Sequence, residues 1–241
     1  MKNENFLKIF LLMFSYRQKL AITIEKIVSR TQSFIEPKYV PTFWAANTWS
    51  NLVLLMIKQK IDKKYNCQFR RETLTMEDGG TVAIDWPLGA DGLPPNAPIV
   101  IFLHTVTGSS ADIIHYTKEA TRRGWRSCVF TRRGHGGLHL TSAKFNMMGD
   151  AEDTTVMVNK VVHAYPQSSY LAMVGISAGS GLLITYLGKQ SVRSPVQAAV
   201  GLCPAWDVSQ VILRWQQCLS ITRFLSTFTD FLTVFVLFQS Q

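Results

Sequence analysis

Five consecutive apolar residues, Ile99-Val100-Ile101-Phe102-Leu103, stand between a Gly/Pro-rich stretch at 87–98 and a polar loop that begins at His104. A strand wetted on one face alternates apolar and polar side chains, so an unbroken run of this kind reads as a strand covered on both faces. Such cover needs helices, and helical sequence alternates with β-prone sequence from there on. One helix is expected over 111–123, ended by Gly124. A second begins near Asp150, with Asp153 three residues on as part of a capping arrangement that puts negative charge in its first turn. A third is expected over 178–189. Strands are expected over 126–131, 170–174 and 196–202. Upstream, runs at 68–75 and 81–86 flank Glu77-Asp78-Gly79-Gly80, a turn signal, and read as a hairpin. The alternation implies an α/β fold, a mostly parallel sheet with helices on both faces.

Composition narrows the function classes. The 241 residues are 47% hydrophobic and 17% charged, which excludes disordered and collagen-like chains. Residues 1–71 carry 13 Lys/Arg against 4 Asp/Glu, whereas residues 72–241 carry 12 of each, so the net +9 belongs to the N-terminal third. It sits chiefly in Lys58, Lys60, Lys63, Lys64, Arg70 and Arg71. No zinc-finger spacing, RNP-like run or basic zipper accompanies it, so no nucleic-acid partner is expected. An anionic membrane surface or a solvated basic face fits better.

Cys67, Cys128, Cys203 and Cys218 form no CxxC pair, and no metal or cofactor site is expected. Reduced, mostly buried thiols suit an intracellular location, with membrane association possible. The apolar stretch at 6–14 is too short to span a bilayer or serve well as a signal peptide. The uncharged run at 39–57 is interrupted by Pro41, Asn47, Ser50 and Asn51; its Trp44 and Trp49 suit either a lipid interface or packing. Phe224, Phe228, Phe231, Phe235 and Phe238 would share one face of a helix.

The chemical signal is Gly175-Ile176-Ser177-Ala178-Gly179, at a strand-to-helix junction. A G-x-S-x-G elbow holds its serine in a strained turn, and side chains at the flanking positions would strike the neighbouring strand and helix. Ser177 is the expected nucleophile. The loop after the apolar strand, His104 to Ser110, is expected to supply one oxyanion donor and the residue after the serine the other, namely the backbone N–H groups of Val106 and Ala178. The same loop could simply cap the next helix.

These residues resemble the α/β-hydrolase superfamily, and more narrowly its subfamily 4 of monoacylglycerol lipase-like, phospholipase-like and medium-chain ester synthase-like hydrolases. The likeness rests on Phe69-Arg70-Arg71-Glu72, Asp78-Gly79-Gly80, Asp85-Trp86 and His104 to Ser110. It continues through Arg132-Arg133-Gly134-His135-Gly136-Gly137, Leu140-Thr141, Gly149-Asp150 with Asp153, the elbow, and Ala205-Trp206-Asp207. It covers about residues 38–210, and Thr105 departs from it by replacing the usual glycine of a His-Gly loop. The resemblance implies a serine esterase or acylglycerol lipase acting on fatty-acyl esters, with acyl transfer to water or an alcohol, and an α/β-hydrolase fold that here lacks its last two strands.

A serine hydroxyl needs a histidine base and an acid to orient it. After Ser177 come Asp207 and Asp230 but no histidine; the five are His104, His115, His135, His139 and His163. No triad acid or histidine is therefore identified. His135 and His139 are weak candidates for a substitute base, His163 is expected to face away, and Asp207 to brace a loop. The expected organisation is a basic, aromatic extension at 1–67, a partial hydrolase domain at 68–210, and a divergent hydrophobic tail at 211–241. A C-terminally truncated, impaired enzyme is expected; the alternative is a non-catalytic module for a membrane surface or a partner.

Overall fold

Among the described residues, three α-helices and six strands build the main sheet unit. The computed structural model describes residues 69–89, 92–146 and 151–204, with scattered positions between 25 and 57. The chain divides into two units, Met1–Met56 and Ile57–Gln241. In the first, a short 3-10 turn at Phe43–Ala45 carries two exposed aromatic side chains, Phe43 and Trp44, whose rings meet edge to face with centroids 4.6 Å apart. Among the described residues no helix is long and apolar enough to cross a membrane. Trp49, Cys67, Asp150, Cys218 and residues 205–241, with the phenylalanine stripe, lie outside the described residues.

In the second unit the strands are β1 (Phe69–Thr75), β2 (Thr81–Pro87), β3 (Ile99–Leu103), β4 (Arg126–Thr131), β5 (Leu171–Ile176) and β6 (Ala198–Leu202). They form one sheet in the order β1-β2-β4-β3-β5-β6. The hairpin pair and β2–β4 are antiparallel, and the remaining pairs are parallel. The helices are α1 (Ile114–Arg122), α2 (Glu152–Ala164) and α3 (Ala178–Gln190). Every residue of β3 is buried, as its unbroken apolar run requires. Ile101, Leu103, Phe130 and Met173 pack on one face with Met157, Val158 and Val161 of α2 and Leu182, Leu183 and Tyr186 of α3. On the other face Val100, Phe102 and Val129 meet Ile113 and Ala120 of the α1 side. The result is the mostly parallel α/β sheet with helices on both faces that the alternation implies.

Element bounds shift by a few residues: the helix expected over 111–123 opens as a 3-10 turn at Ser110–Ile113 before α1, and the strand expected over 196–202 begins at Ala198. Two further shifts bear on the site. The strand expected over 170–174 runs on to Ile176, so that β5 abuts Ser177 directly. The helix expected from Asp150 starts at Glu152, with Ala151 as its N-cap and no capping side chain. Asp153 is withdrawn from capping because it is the partner of a buried arginine. Arg133 donates from Nε and Nη2 to the two Asp153 carboxylate oxygens, both at 2.7 Å, and from Nη1 to Asp78 and to Ser142 Oγ. Both members of the Arg133–Asp153 pair are buried. A Cβ on Gly80 would stand inside contact distance of the Arg133 guanidinium, so the hairpin glycine makes room for it.

A second bidentate pair corrects the reading of Arg71 as part of a free basic face. Its Nε and Nη2 donate to the carboxylate of Asp85 at 2.7 and 2.8 Å, and its Nη1 donates to the Gly136 carbonyl at 2.7 Å. Asp85 is fully buried and also accepts from Thr131 Oγ1 at 2.7 Å. One carboxylate thus ties β1, β2 and β4 to the loop after β4. Of the cysteines, Cys128 is buried and Cys203 is exposed.

Candidate active site

Register places the site. Leu103 pairs with Phe130 on one side and with Gly175 on the other, so β3, β4 and β5 end side by side. In open parallel sheets, ligands gather beyond these carboxyl ends. Three segments leave there: the loop from His104, the Arg132-Arg133-Gly134-His135 loop, and the turn at Ser177.

Ser177 has φ 54° and ψ −114°, a conformation that glycine adopts freely and an L-residue adopts at a cost of roughly 1–3 kcal/mol. Its neighbours explain how the turn fits. A Cβ on Gly175 would stand 2.7 Å from the Gly179 carbonyl carbon and 2.7 Å from Ser180 Cα. One on Gly179 would stand 2.7 Å from the Leu103 carbonyl carbon and 2.8 Å from the His104 oxygen. The first turn of α3 therefore lies against both its own strand and the end of β3, and position 177 adjoins the loop that starts at residue 104.

The backbone around the serine is pinned. Ser177 N–H donates to the Leu202 carbonyl at 2.8 Å, and the Ser180 hydroxyl, fully buried, lies 2.7 Å from the Gly175 oxygen and 2.8 Å from the Leu202 oxygen. One hydroxyl proton is shared between those two acceptors. Sequence reasoning missed Ser180; its signal, a small polar residue three after the serine, is too common to read alone. Ser177 itself is half-buried. The Ala178 N–H opens α3 and has no intrahelical partner.

The loop from His104 is built on hydrogen bonds. Asp112 accepts from Ser109 N–H at 2.8 Å, and the Asp112 N–H donates to the Ser109 carbonyl at 3.2 Å, so the loop also caps the short 3-10 turn Ser110–Ile113. Thr105 is accommodated because its φ is negative; glycine is demanded at 108 instead, where a Cβ would stand 2.6 Å from Thr105 Oγ1 and 3.0 Å from Thr105 N. The Thr105 carbonyl receives the Gly108 N–H at 3.2 Å, His104 Nδ1 at 2.8 Å and Arg132 Nη2 at 2.5 Å. His104 Nε2 accepts the Arg132 backbone N–H at 3.4 Å, which assigns the proton to Nδ1. Sequence reasoning also missed Arg132, whose side chain is buried beneath this loop.

The candidate bases fare differently. His135 is buried, with Nδ1 2.8 Å from the Arg133 oxygen and Nε2 2.8 Å from the Val106 oxygen, and its ring stacks on Phe145. Both nitrogens face carbonyl acceptors, which withdraws it as a proton acceptor. His139 is exposed, and exposed His163 donates from Nδ1 to the Asn159 carbonyl at 2.8 Å, away from the sheet end. Asp207 and Asp230 lie outside the described residues.

Burial first, and then the charge of Arg132, push His104 well below the ordinary histidine range; the same two causes, in the same order, lower His135. In the unfolded chain each imidazole takes a proton near pH 6.5. Below that pH the unfolded state binds more protons than the folded one, so stability contributed by the neutral rings is present above about pH 6.5 and is lost as pH falls. Urea midpoints of the wild type are expected to drop between pH 7 and pH 5, and His104→Gln to flatten that slope. Parallel pH profiles for the two proteins would contradict this assignment.

A family model described as serine aminopeptidase, S33 (Hydrolase_4) matches residues 94–235. Among curated proteins the chain is similar to the embryogenesis-associated protein EMB8 of Picea glauca, with 39% identity over 148 residues, 58% of this chain and 32% of that protein. It is also similar to phospholipase ABHD3 of Homo sapiens, with 29% identity over 175 residues, 70% and 42% of the two chains. A monoacylglycerol lipase of Saccharomyces cerevisiae is 28% identical over 116 residues, 46% and 25%. The chain spans about a third to a half of the length of the first two of these relatives. In fold it is similar to the Pyrococcus furiosus esterase Pf2001, with a TM-score of 0.52 at 19% identity over 69% of this chain and 66% of that one. With the family match covering more than half its length, the chain belongs to the Hydrolase_4 family of the α/β-hydrolase superfamily.

Proposed function

We propose that the chain carries the elbow and oxyanion loop of a serine hydrolase for fatty-acyl esters, with Ser177 as nucleophile and the Val106 and Ala178 N–H groups as oxyanion donors. The observation that carries this reading is the glycine-type backbone at Ser177, packed through Gly179 against the start of the His104 loop. The names of two similar proteins, a phospholipase and a monoacylglycerol lipase, support an acyl-lipid ester as substrate class.

In this mechanism Ser177 Oγ attacks the ester carbonyl carbon and its proton passes to a base. The oxyanion is held by the two N–H groups, the carbon–oxygen bond to the alcohol breaks, and the alcohol leaves with a proton. Water or a second alcohol then takes the acyl group from the serine. The 241 residues hold no histidine after Ser177, and His135 is engaged by two carbonyls. A general base is worth ~10²- to 10⁴-fold. The 241-residue polypeptide is accordingly slow by about that factor. A fluorophosphonate probe is expected to label it only weakly, and Ser177→Ala to remove what labelling there is. Rapid stoichiometric labelling would contradict the impairment, and labelling unchanged by Ser177→Ala would contradict the choice of nucleophile.

We also assign residues 1–67 to an anionic membrane surface, supported by their basic excess and by exposed Phe43 and Trp44. Flotation with phosphatidylserine-containing vesicles should be strong at low salt and weak at high salt, where the attraction is screened. No flotation at low salt would end this part of the proposal.

A further inference from the structure

Thr105 and Val106 share one peptide unit, and in a trans peptide the carbonyl and the N–H point in opposite directions. Whatever grips the Thr105 oxygen therefore decides where the Val106 N–H points. The grip is strong and one-sided. Arg132 Nη2 donates to that oxygen at 2.5 Å, His104 Nδ1 lies at 2.8 Å, and Gly108 N–H closes a turn on it at 3.2 Å. The backbone N–H of Arg132 also holds the far nitrogen of the same imidazole at 3.4 Å, so one residue steadies the oxygen both directly and through the ring. On the next peptide, His135 Nε2 stands 2.8 Å from the Val106 oxygen.

We propose that Arg132 is a positioning residue for the oxyanion hole: by holding the Thr105 carbonyl it turns the Val106 N–H away from itself and out of the loop as a fixed donor. The inference rests on the proposed function, in which that N–H receives the ester oxyanion. An ionised donor makes a hydrogen bond about twice as strong as a neutral one, and it polarises the peptide it holds. Although burial lowers Arg132, its guanidinium titrates at about 10 and stays charged at neutral pH. Arg132 touches the loop and not the acyl carbon, so its effect is on geometry and field. Thr105 at this place fits the arrangement: with its φ negative, the loop needs an external clamp rather than glycine's freedom.

The test is a ¹⁵N-resolved NMR comparison of the 241-residue chain with Arg132→Met, Arg132→Gln, Arg132→Lys and Ser177→Ala, before and after titration with butylphosphonate, a stable tetrahedral anion. Wild type and Ser177→Ala are expected to share one sharp Val106 amide signal. The neutral Arg132 variants should shift or double it while leaving β1 amides in place, and weaken butylphosphonate binding at least tenfold; Arg132→Lys should recover most of both. A Val106 signal in a folded neutral variant that coincides with the wild type's overturns the proposal, and Arg132→Gln carries the test should Arg132→Met not fold. Failure of the nucleophile reading shows elsewhere, as fluorophosphonate labelling indifferent to Ser177→Ala, and leaves the Val106 readout intact.

Discussion

The first turn of α3 can approach the end of β3 only because position 179 has no side chain. Any Cβ there would overlap the Leu103 and His104 carbonyls, and one at 175 would overlap the backbone of the same turn. Packing of this kind leaves no slack, because protein interiors are filled to crystal-like density. The chain must pass from β5 into α3 within one residue, and Ser177 takes the strained conformation that this passage requires. Its N–H and the Ser180 hydroxyl then fasten the turn to the Leu202 carbonyl of β6. The strain is localised at the residue for which a reactive role is proposed, and the surrounding contacts hold it in place.

Around that turn, the loops are set by arginines. Arg71 binds Asp85 and the Gly136 carbonyl, Arg133 binds Asp153 and Asp78, and Arg132 binds the Thr105 carbonyl. The first two join a loop or turn at the sheet to a partner in a strand or helix, and Arg132 joins the loop after β4 to the loop after β3. Buried ion pairs contribute little net stability, since desolvation offsets much of the attraction, but removing one partner leaves a costly unpaired charge. Their effect is on arrangement: the apolar faces set the layers, and the guanidinium forks set where the loops between the layers lie. The Arg133 hydrogen bond also holds the Asp78 carboxyl well below its ordinary range.

The layers were legible because they follow from local spacing. An unbroken apolar run, a glycine pair around a serine and turn residues between β-prone stretches are each written within a few positions. Polar partnerships were not legible in the same way. Asp153 reads as a capping residue until Arg133, twenty positions earlier, is brought beside it by the end of β4. Arg71 reads as surface charge until pairing with Asp85 across the hairpin buries its carboxylate partner. His135 reads as a candidate substitute base until the path of two loops brings a carbonyl to each of its ring nitrogens. Thr105 reads as a departure from a His-Gly loop, and the negative φ that lets it stand there depends on the path of the loop.

The central claim is that position 177 sits where only a strained or side-chain-free residue can stand, and Ser177→Gly tests it through a sign. At φ 54°, ψ −114°, glycine relieves the strain, so the variant should be more stable than wild type by about 1 kcal/mol in urea denaturation. In an ordinary helix or strand the same change would cost about 0.5–1 kcal/mol. A destabilised Ser177→Gly protein would contradict the elbow and the account built on it.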